Sequence, residues 1–240
     1  PISLTDVLVQ SVMMKHMKAN GISKIAFLNV DTGFGTSGRK SIEANAAGQG
    51  VQIVTQQTMG NKDKDVTPQL TKIRGSGAQA TVIWATGGAQ AIAVKNYRQL
   101  GLKMPLYISH AGSSFGFIKL AGDAANGVLM PSSKLYVTAD LANSDPQKAV
   151  TDKFITDFKK KFNKLPATFA GNGYDAAMIV MNAIKKAGTN KAKIRDAIEN
   201  TKNYVGVTAV YSYSPTNHFG AQQDSVVMLS VKNGSFVLAK

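Results

Sequence analysis

The sequence contains no cysteine, which excludes disulfides, thiolate metal ligands and a cysteine nucleophile while leaving the compartment open. It has no apolar run near the roughly 18 residues of a membrane span. The opening Pro1-Ile2-Ser3-Leu4 has neither the basic stretch nor the apolar segment of a secretory signal, so an exported form is expected to carry its signal outside these residues. Catalytic signatures are also missing: there is no G-x-S-x-G elbow, no P-loop and no H-E-x-x-H. Acids are few, and the 14 Asp and Glu residues form no pair at expected strand ends. His16 and His218 have no second ligand at metal-binding spacing. The reading is therefore of a protein without enzymatic machinery, cofactor or metal.

Lysine and arginine number 28, for a formal charge of +14. Such a balance points to anionic partners. The charges are dispersed among Lys/Asp mixtures, however, and the densest run is Lys159-Lys160-Lys161. A nucleic-acid module would cluster them and interleave stacking aromatics. A solvated basic surface that draws in a small anion is the preferred reading, with no nucleic-acid partner.

With 240 residues, 44% hydrophobic, the chain is long enough for one large or two smaller domains. Thr5-Asp6 can cap a first helix with Val9, Val12, Met13 and Met17 at helical spacing, closed by Asn20-Gly21. The apolar strand from Ile25 to Val30 then runs into Gly33-Phe34-Gly35-Thr36-Ser37-Gly38. That segment fits the G-x-G-x-x-G dinucleotide pattern. A true fingerprint needs an acid at the end of the following strand, yet Val51 to Val54 leads into Thr55-Gln56-Gln57. The alternatives are a tight strand-to-helix turn, or a turn displaying Phe34 at the mouth of a sheet. Helices over 37–47, 67–74 and 89–100 alternate with strands over 51–54, 80–85 and 106–108. This alternation predicts an α/β fold with a doubly wound parallel sheet. The loops at Phe34, Thr86 and His110 would then share the carboxyl-end rim where such sheets bind ligands.

Beyond Pro131 the texture changes. Helices are expected over 146–163, with Val150, Phe154, Phe158 and Phe162 on one stripe, over 174–186, apolar nearly all round, and over 191–200. Tyr174 and Asp175 would cap and pack the start of the second. No central strand lies among these helices, and the tail reads as hairpins over 205–213, 225–231 and 236–238, the last two joined through Asn233-Gly234. Helices must bury an apolar face. The sheet they would cover is expected either outside this chain or on a second chain.

Seven segments stand in order along the chain: Pro1 to Gly21, Asp31-Thr-Gly-Phe-Gly35, Lys95-Asn-Tyr-Arg-Gln-Leu-Gly-Leu102, Ala121-Gly-Asp-Ala-Ala-Asn-Gly127, Gly173-Tyr-Asp-Ala176, Tyr204-Val-Gly-Val207 and Ser214-Pro-Thr-Asn-His-Phe-Gly220. Together they resemble the type I periplasmic solute-binding proteins of ABC transporters, the branched-chain amino-acid-binding (Leu/Ile/Val) family. The resemblance implies two lobes with a ligand in the cleft between them. Residues 1–132 with 208–240 would form lobe two, and 136–203 the helical remainder of an incomplete lobe one. It further implies a periplasmic or membrane-anchored extracellular location and an ABC-transporter permease as partner. Phe34 matches a ligand-lining aromatic, Thr86 and Gly87 fall near a second, and Phe169 matches a cleft aromatic. Ala111 falls at or beside the acid that grips an amino acid's ammonium group. Without that carboxylate a desolvated ammonium would lose its counter-charge. His110 could instead donate to a carboxylate or phenol oxygen while Phe34 stacks on a ring. A small organic anion, aromatic in one version, is expected over leucine or valine. The alternatives are an amino-acid receptor, a sensory domain of the same fold, and a nucleotide-dependent enzyme.

Overall fold

The computed structural model describes residues 1–239. The chain divides into two compact units, one formed by residues 6–132 and 228–240, the other by residues 1–5 and 133–227.

In the first unit the elements alternate as the apolar periodicity requires: α1 (Asp6–Ala19), β1 (Lys24–Val30), α2 (Gly33–Asn45), β2 (Gln52–Met59), α3 (Thr67–Arg74), β3 (Ala80–Trp84), α4 (Gly87–Gln99), β4 (Leu106–Ile108), α5 (Phe115–Ala121) and β5 (Leu129–Ser133). The strands stand in the order β2-β1-β3-β4-β5, all parallel. The order reverses beside β1, the mark of a doubly wound sheet. Helices α1 and α2 pack on each other, as do α3 with α4 and α4 with α5. Strands β1 and β3 are therefore covered on both faces. Their burial is continuous rather than alternating: Ile25, Phe27, Leu28, Val82, Ile83 and Trp84 are all fully buried. The sheet is extended at the β5 edge by a hairpin, β8 (Val226–Lys232) and β9 (Ser235–Leu238), antiparallel about Asn233-Gly234. Both turn residues have positive φ, as a two-residue hairpin turn demands.

The second unit is mostly helical: α6 (Pro146–Phe162), α7 (Thr168–Ala187) and α8 (Lys191–Glu199), with a short hairpin of β6 (Tyr204–Val205) and β7 (Val210–Tyr211). Helix α7 buries a single stripe, Gly171, Asp175, Ile179 and Ala183, spaced four apart on one face. Tyr174, Val180, Met181 and Ile184 are more than 40% exposed. Against the stripe sits the loop after β6. A Cβ on Gly171 would lie 2.6 Å from Thr208, and one on Gly206 would lie 2.7 Å from the Asp175 carboxyl. Two glycines thus let helix and loop touch. Asp175, fully buried, accepts hydrogen bonds from Val207 N (2.8 Å), Thr208 N (2.9 Å) and Thr208 Oγ1 (2.5 Å). Burial pushes its pKa up, against the pull of those donors.

Four boundaries differ from expectation. Strand β2 runs on through Thr55-Gln56-Gln57 to Met59 instead of ending at Val54, because residues 55–59 continue the pairing with β1. Helix α2 begins at Gly33 rather than Ser37, because Thr32 acts as N-cap and its side chain accepts from Gly35 N. Helix α7 begins at Thr168 rather than Tyr174, so Tyr174 is an interior helical residue and caps nothing. The segment 208–227 and the first five residues group with the helices instead of the sheet. The cause is packing: Ala209, Tyr211 and Tyr213 form an apolar cluster with Ile179, and Ile2 leans on it.

Candidate functional site

Three adjacent strands, β1, β3 and β4, deliver three loops to the carboxyl edge of the sheet. Each strand stops where its chain must turn into a helix, and the side chains at the turn face the edge. Phe34 follows β1 in the first turn of α2. Trp84 ends β3, followed by Ala85, Thr86 and Gly87. His110 follows β4 in a short 3-10 turn, His110 to Gly112.

The three rings meet. Phe34 stacks on Trp84 with centroids 5.9 Å apart and planes 12° from parallel. His110 lies 5.7 Å from Phe34 and 5.9 Å from Trp84. Phe27 backs Trp84 from within the sheet at 6.2 Å. Phe34 and His110 are half-buried and Trp84 is fully buried. The result is an aromatic wall two rings deep.

Polar groups gather behind it. Ser109 Oγ donates to Ala85 O (2.7 Å) and approaches Gln90 Oε1 at 3.1 Å. Gln10 Nε2 donates to Gly38 O (2.8 Å). Trp84 Nε1, Gln90 Nε2 and His110 Nδ1 are buried with no hydrogen-bond partner in the protein. Buried polar atoms are normally paired. Glycines lie close against two of the three: a Cβ on Gly38 would fall 2.0 Å from Trp84 Nε1 and one on Gly112 2.6 Å from Gln90 Nε2. Burial holds the His110 imidazole below its ordinary pKa, with the Asp6 carboxylate opposing that shift, so at neutral pH it is uncharged and one ring nitrogen can accept.

The glycine segment has a different role from a phosphate cradle. A Cβ on Gly35 would fall 1.8 Å from Val30 O, and one on Gly38 would fall 2.0 Å from Trp84 Nε1. Both glycines face inward and are fully buried. They let α2 lie directly on β1 and on the Trp84 ring. Asp63, the first acid after β2, accepts from Gly60 N within its own loop, so no acid stands ready for a ribose and the segment works as helix packing.

Thr86 and Gly87 are exposed at the same edge, where Gly87 takes a positive φ of 53° at the start of α4. Ala111 is half-buried in the turn after His110. Phe169 belongs to the other unit, in the first turn of α7, 71% exposed. Sequence reasoning missed Trp84, Gln10, Gln90 and Asp6. Trp84 carried a signal, being the chain's one tryptophan at the last position of a strand ending on the rim. The glutamines carried none, because each sits in the opening turns of a helix, where a polar residue reads as ordinary surface. Among the described residues no cluster of three His, Asp or Glu could hold a metal ion, and no helix is long and apolar enough to cross a membrane.

A family model described as "Periplasmic binding protein" matches residues 3–235. Among curated proteins, the chain is similar to Leu/Ile/Val-binding protein homolog 7 of Brucella abortus, 19% identical over 237 residues. That alignment covers 98% of this chain and 59% of the relative, so the chain spans about three-fifths of the length of the curated relatives it matches. Among solved structures, an extracellular ligand-binding receptor from Rhodopseudomonas palustris HaA2 is 25% identical with a TM-score of 0.89, covering 100% of this chain and 70% of that one. The branched-chain amino acid transporter substrate binding protein LivJ of Streptococcus pneumoniae, solved with isoleucine, is 22% identical with a TM-score of 0.81, covering 99% and 65%.

Proposed function

The chain belongs to the periplasmic binding protein family, whose members are solute-binding receptors and not enzymes, and from that premise we propose that it captures a small organic carboxylate bearing an aromatic ring and presents it to an ABC-transporter permease outside the cytoplasm. The observation that carries the reading is the wall of Phe34, Trp84 and His110 with unpaired polar atoms beside it. A ligand ring packs on Phe34, where an offset or edge contact contributes beyond burial alone. Thr86 and Gly87 flank the ring, and Ala111 leaves the turn after β4 without a carboxylate. The 1–132 and 136–203 portions then correspond to the two lobes of a receptor, with the boundaries adjusted as above.

One observation favours a second reading. The Asp6 carboxylate acts electrostatically on His110, and a counter-charge so placed suits an ammonium group, hence an amino-acid ligand like that of the isoleucine-bound neighbour.

Trp84 is the single tryptophan and lies directly under Phe34, so its emission reports on this wall. Titration with aromatic carboxylates, aliphatic carboxylates and leucine, isoleucine and valine separates the readings. A saturable change with aromatic carboxylates, lost in Phe34→Ala, is the expected result. A response to the amino acids alone refutes the argument from Ala111 and supports Asp6 as the anchor. No response to any of them refutes binding at this wall.

A further inference from the structure

Within the sheet-bearing unit the charged residues divide between the two edges of the sheet. The sheet-bearing unit holds fifteen of the Lys and Arg residues and only six acids, Asp6, Asp31, Glu43, Asp63, Asp65 and Asp123. Four of those acids, Asp6, Asp31, Asp63 and Asp65, stand at the carboxyl edge of the sheet with the aromatic wall. There Asp31 and Asp63 bind loop amides, and Asp6 accepts from Ser37. Glu43 is paired with Arg39 within α2.

The opposite, amino edge of the sheet is basic. Helices α1 and α3 end there, carrying Lys15, Lys18, Lys72 and Arg74. Lys24 opens β1, Lys103 precedes β4, and Lys232 closes β8. The placement of Lys232 follows from the bond of Gly127 N to Val231 O at the entry to β5. All seven side chains are exposed, and none is in an ion pair among the described residues. The acids at this end are Asp123 and Glu43, the latter in the last turn of α2 and paired with Arg39. Seven strands about 4.8 Å apart make the edge roughly 30 Å wide, so the cations form a broad field and not a point site. Basic residues at helix C-termini offset the helix dipole, which accounts for Lys18, Lys72 and Arg74. It does not account for Lys24, Lys103 or Lys232, which lie on strands and a loop.

We propose that this amino edge is a docking surface for an anionic phospholipid bilayer, holding the sheet-bearing unit against lipid headgroups with its aromatic edge turned away from them. A wide cation field with no ion-pair partners among the described residues matches an extended array of phosphates. Nucleic acid fits less well: unpaired bases are held by stacking on aromatics, and Tyr97 and Tyr107, the aromatics of α4 and β4, are fully buried. The inference stands independently of which ligand the wall takes.

Flotation with vesicles of about 30 mol% phosphatidylglycerol in phosphatidylcholine, at about 50 mM NaCl, tests it, since screening at higher salt should release the protein. Each basic group near an anionic surface is worth about fivefold in partitioning. The triple variant Lys18→Gln/Arg74→Gln/Lys103→Gln should therefore lose binding by on the order of 100-fold. The control removes the same charge from the densest lysine run, as Lys159→Gln/Lys160→Gln/Lys161→Gln on α6, and should bind within a few-fold of the parent protein. All six positions are exposed, and a melting curve for each triple variant verifies folding. Equal losses in both triples would show that net charge alone drives adsorption and would overturn the proposal. A loss confined to the α6 triple, or equal binding to pure phosphatidylcholine, would overturn it as well.

Discussion

Gly38→Ala is the substitution for which propensity and packing disagree most sharply. Gly38 lies inside α2, where alanine is ordinarily favoured over glycine by about 0.8–1 kcal/mol. The new methyl would lie 2.0, 2.1 and 2.6 Å from Nε1, Cδ1 and Cε2 of Trp84. Carbon contacts are comfortable near 3.5–4 Å, so the indole must retreat by more than an ångström, and Phe27 and Phe34 hold it on both sides. Overpacking of this kind costs typically 1–3 kcal/mol, occasionally more. A rigid three-ring stack places the cost at or above the top of that range. The net expectation is a destabilisation of about 2 kcal/mol and a fall in melting temperature of about 4–8 °C. Gly33→Ala is the internal control. It opens the same helix, and nothing lies within 4 Å of its would-be Cβ, so it should be neutral or slightly stabilising. Thermal unfolding followed by Trp84 fluorescence and by circular dichroism measures both. If Gly38→Ala melts at or above the parent temperature, the inward role of the glycines is wrong.

The remaining predictions concern charge and capping. His110 is held below its ordinary pKa by burial, so below about pH 6.5 the unfolded chain takes up a proton that the folded chain resists, and stability falls as pH falls through that window. Melting curves from pH 7.5 to 5.5 should show this slope flattened in His110→Gln, and an unchanged slope would refute it. Asp175→Asn keeps the shape but sets an amide NH2 either against Val207 N or, flipped, against Thr208 N and Oγ1. A loss of about 2–3 kcal/mol by denaturant unfolding is expected. Tyr204 and Tyr213, pushed up to about 12 by burial and then by the Asp175 charge, should also titrate lower in that variant by ultraviolet absorbance. Ser114 caps α5 by accepting from Phe117 N at 3.1 Å, so Ser114→Ala should cost about 1 kcal/mol.

Much of the sheet-bearing unit was legible because one physical rule repeats. A strand buried on both faces reads as an unbroken apolar run, and Ile25–Val30 and Ala80–Trp84 are such runs. The rim loops followed from the alternation, and Phe34 and His110 do meet there. What stayed hidden was whatever depends on partners distant in sequence. The start of α7 at Thr168 was missed because Gly171 and Gly173 look like breakers. Gly171 is required where the helix touches Thr208, a contact no local pattern encodes. The packing of Ala209, Tyr211 and Tyr213 on Ile179 is likewise a tertiary contact that no local pattern encodes.

The glycine segment shows why spacing alone misled. Glycines three apart serve a phosphate loop and a helix face laid on a sheet equally well, since both need a missing Cβ. The two uses differ only in what lies opposite. Here that is Val30 O and the Trp84 indole, and the second claim can be isolated by a double-mutant cycle. Trp84→Leu alone should cost about 3 kcal/mol or more, through lost burial and a residual cavity. With the indole gone, the Gly38→Ala methyl meets a void instead of a ring, so adding it to Trp84→Leu should restore stability by about 1 kcal/mol rather than remove about 2. The coupling between the two positions is then about 3 kcal/mol, the upper range for residues in direct contact. Additive costs would mean that Gly38 does not sense Trp84, and the glycines would need another explanation than the seating of α2 beneath the aromatic wall.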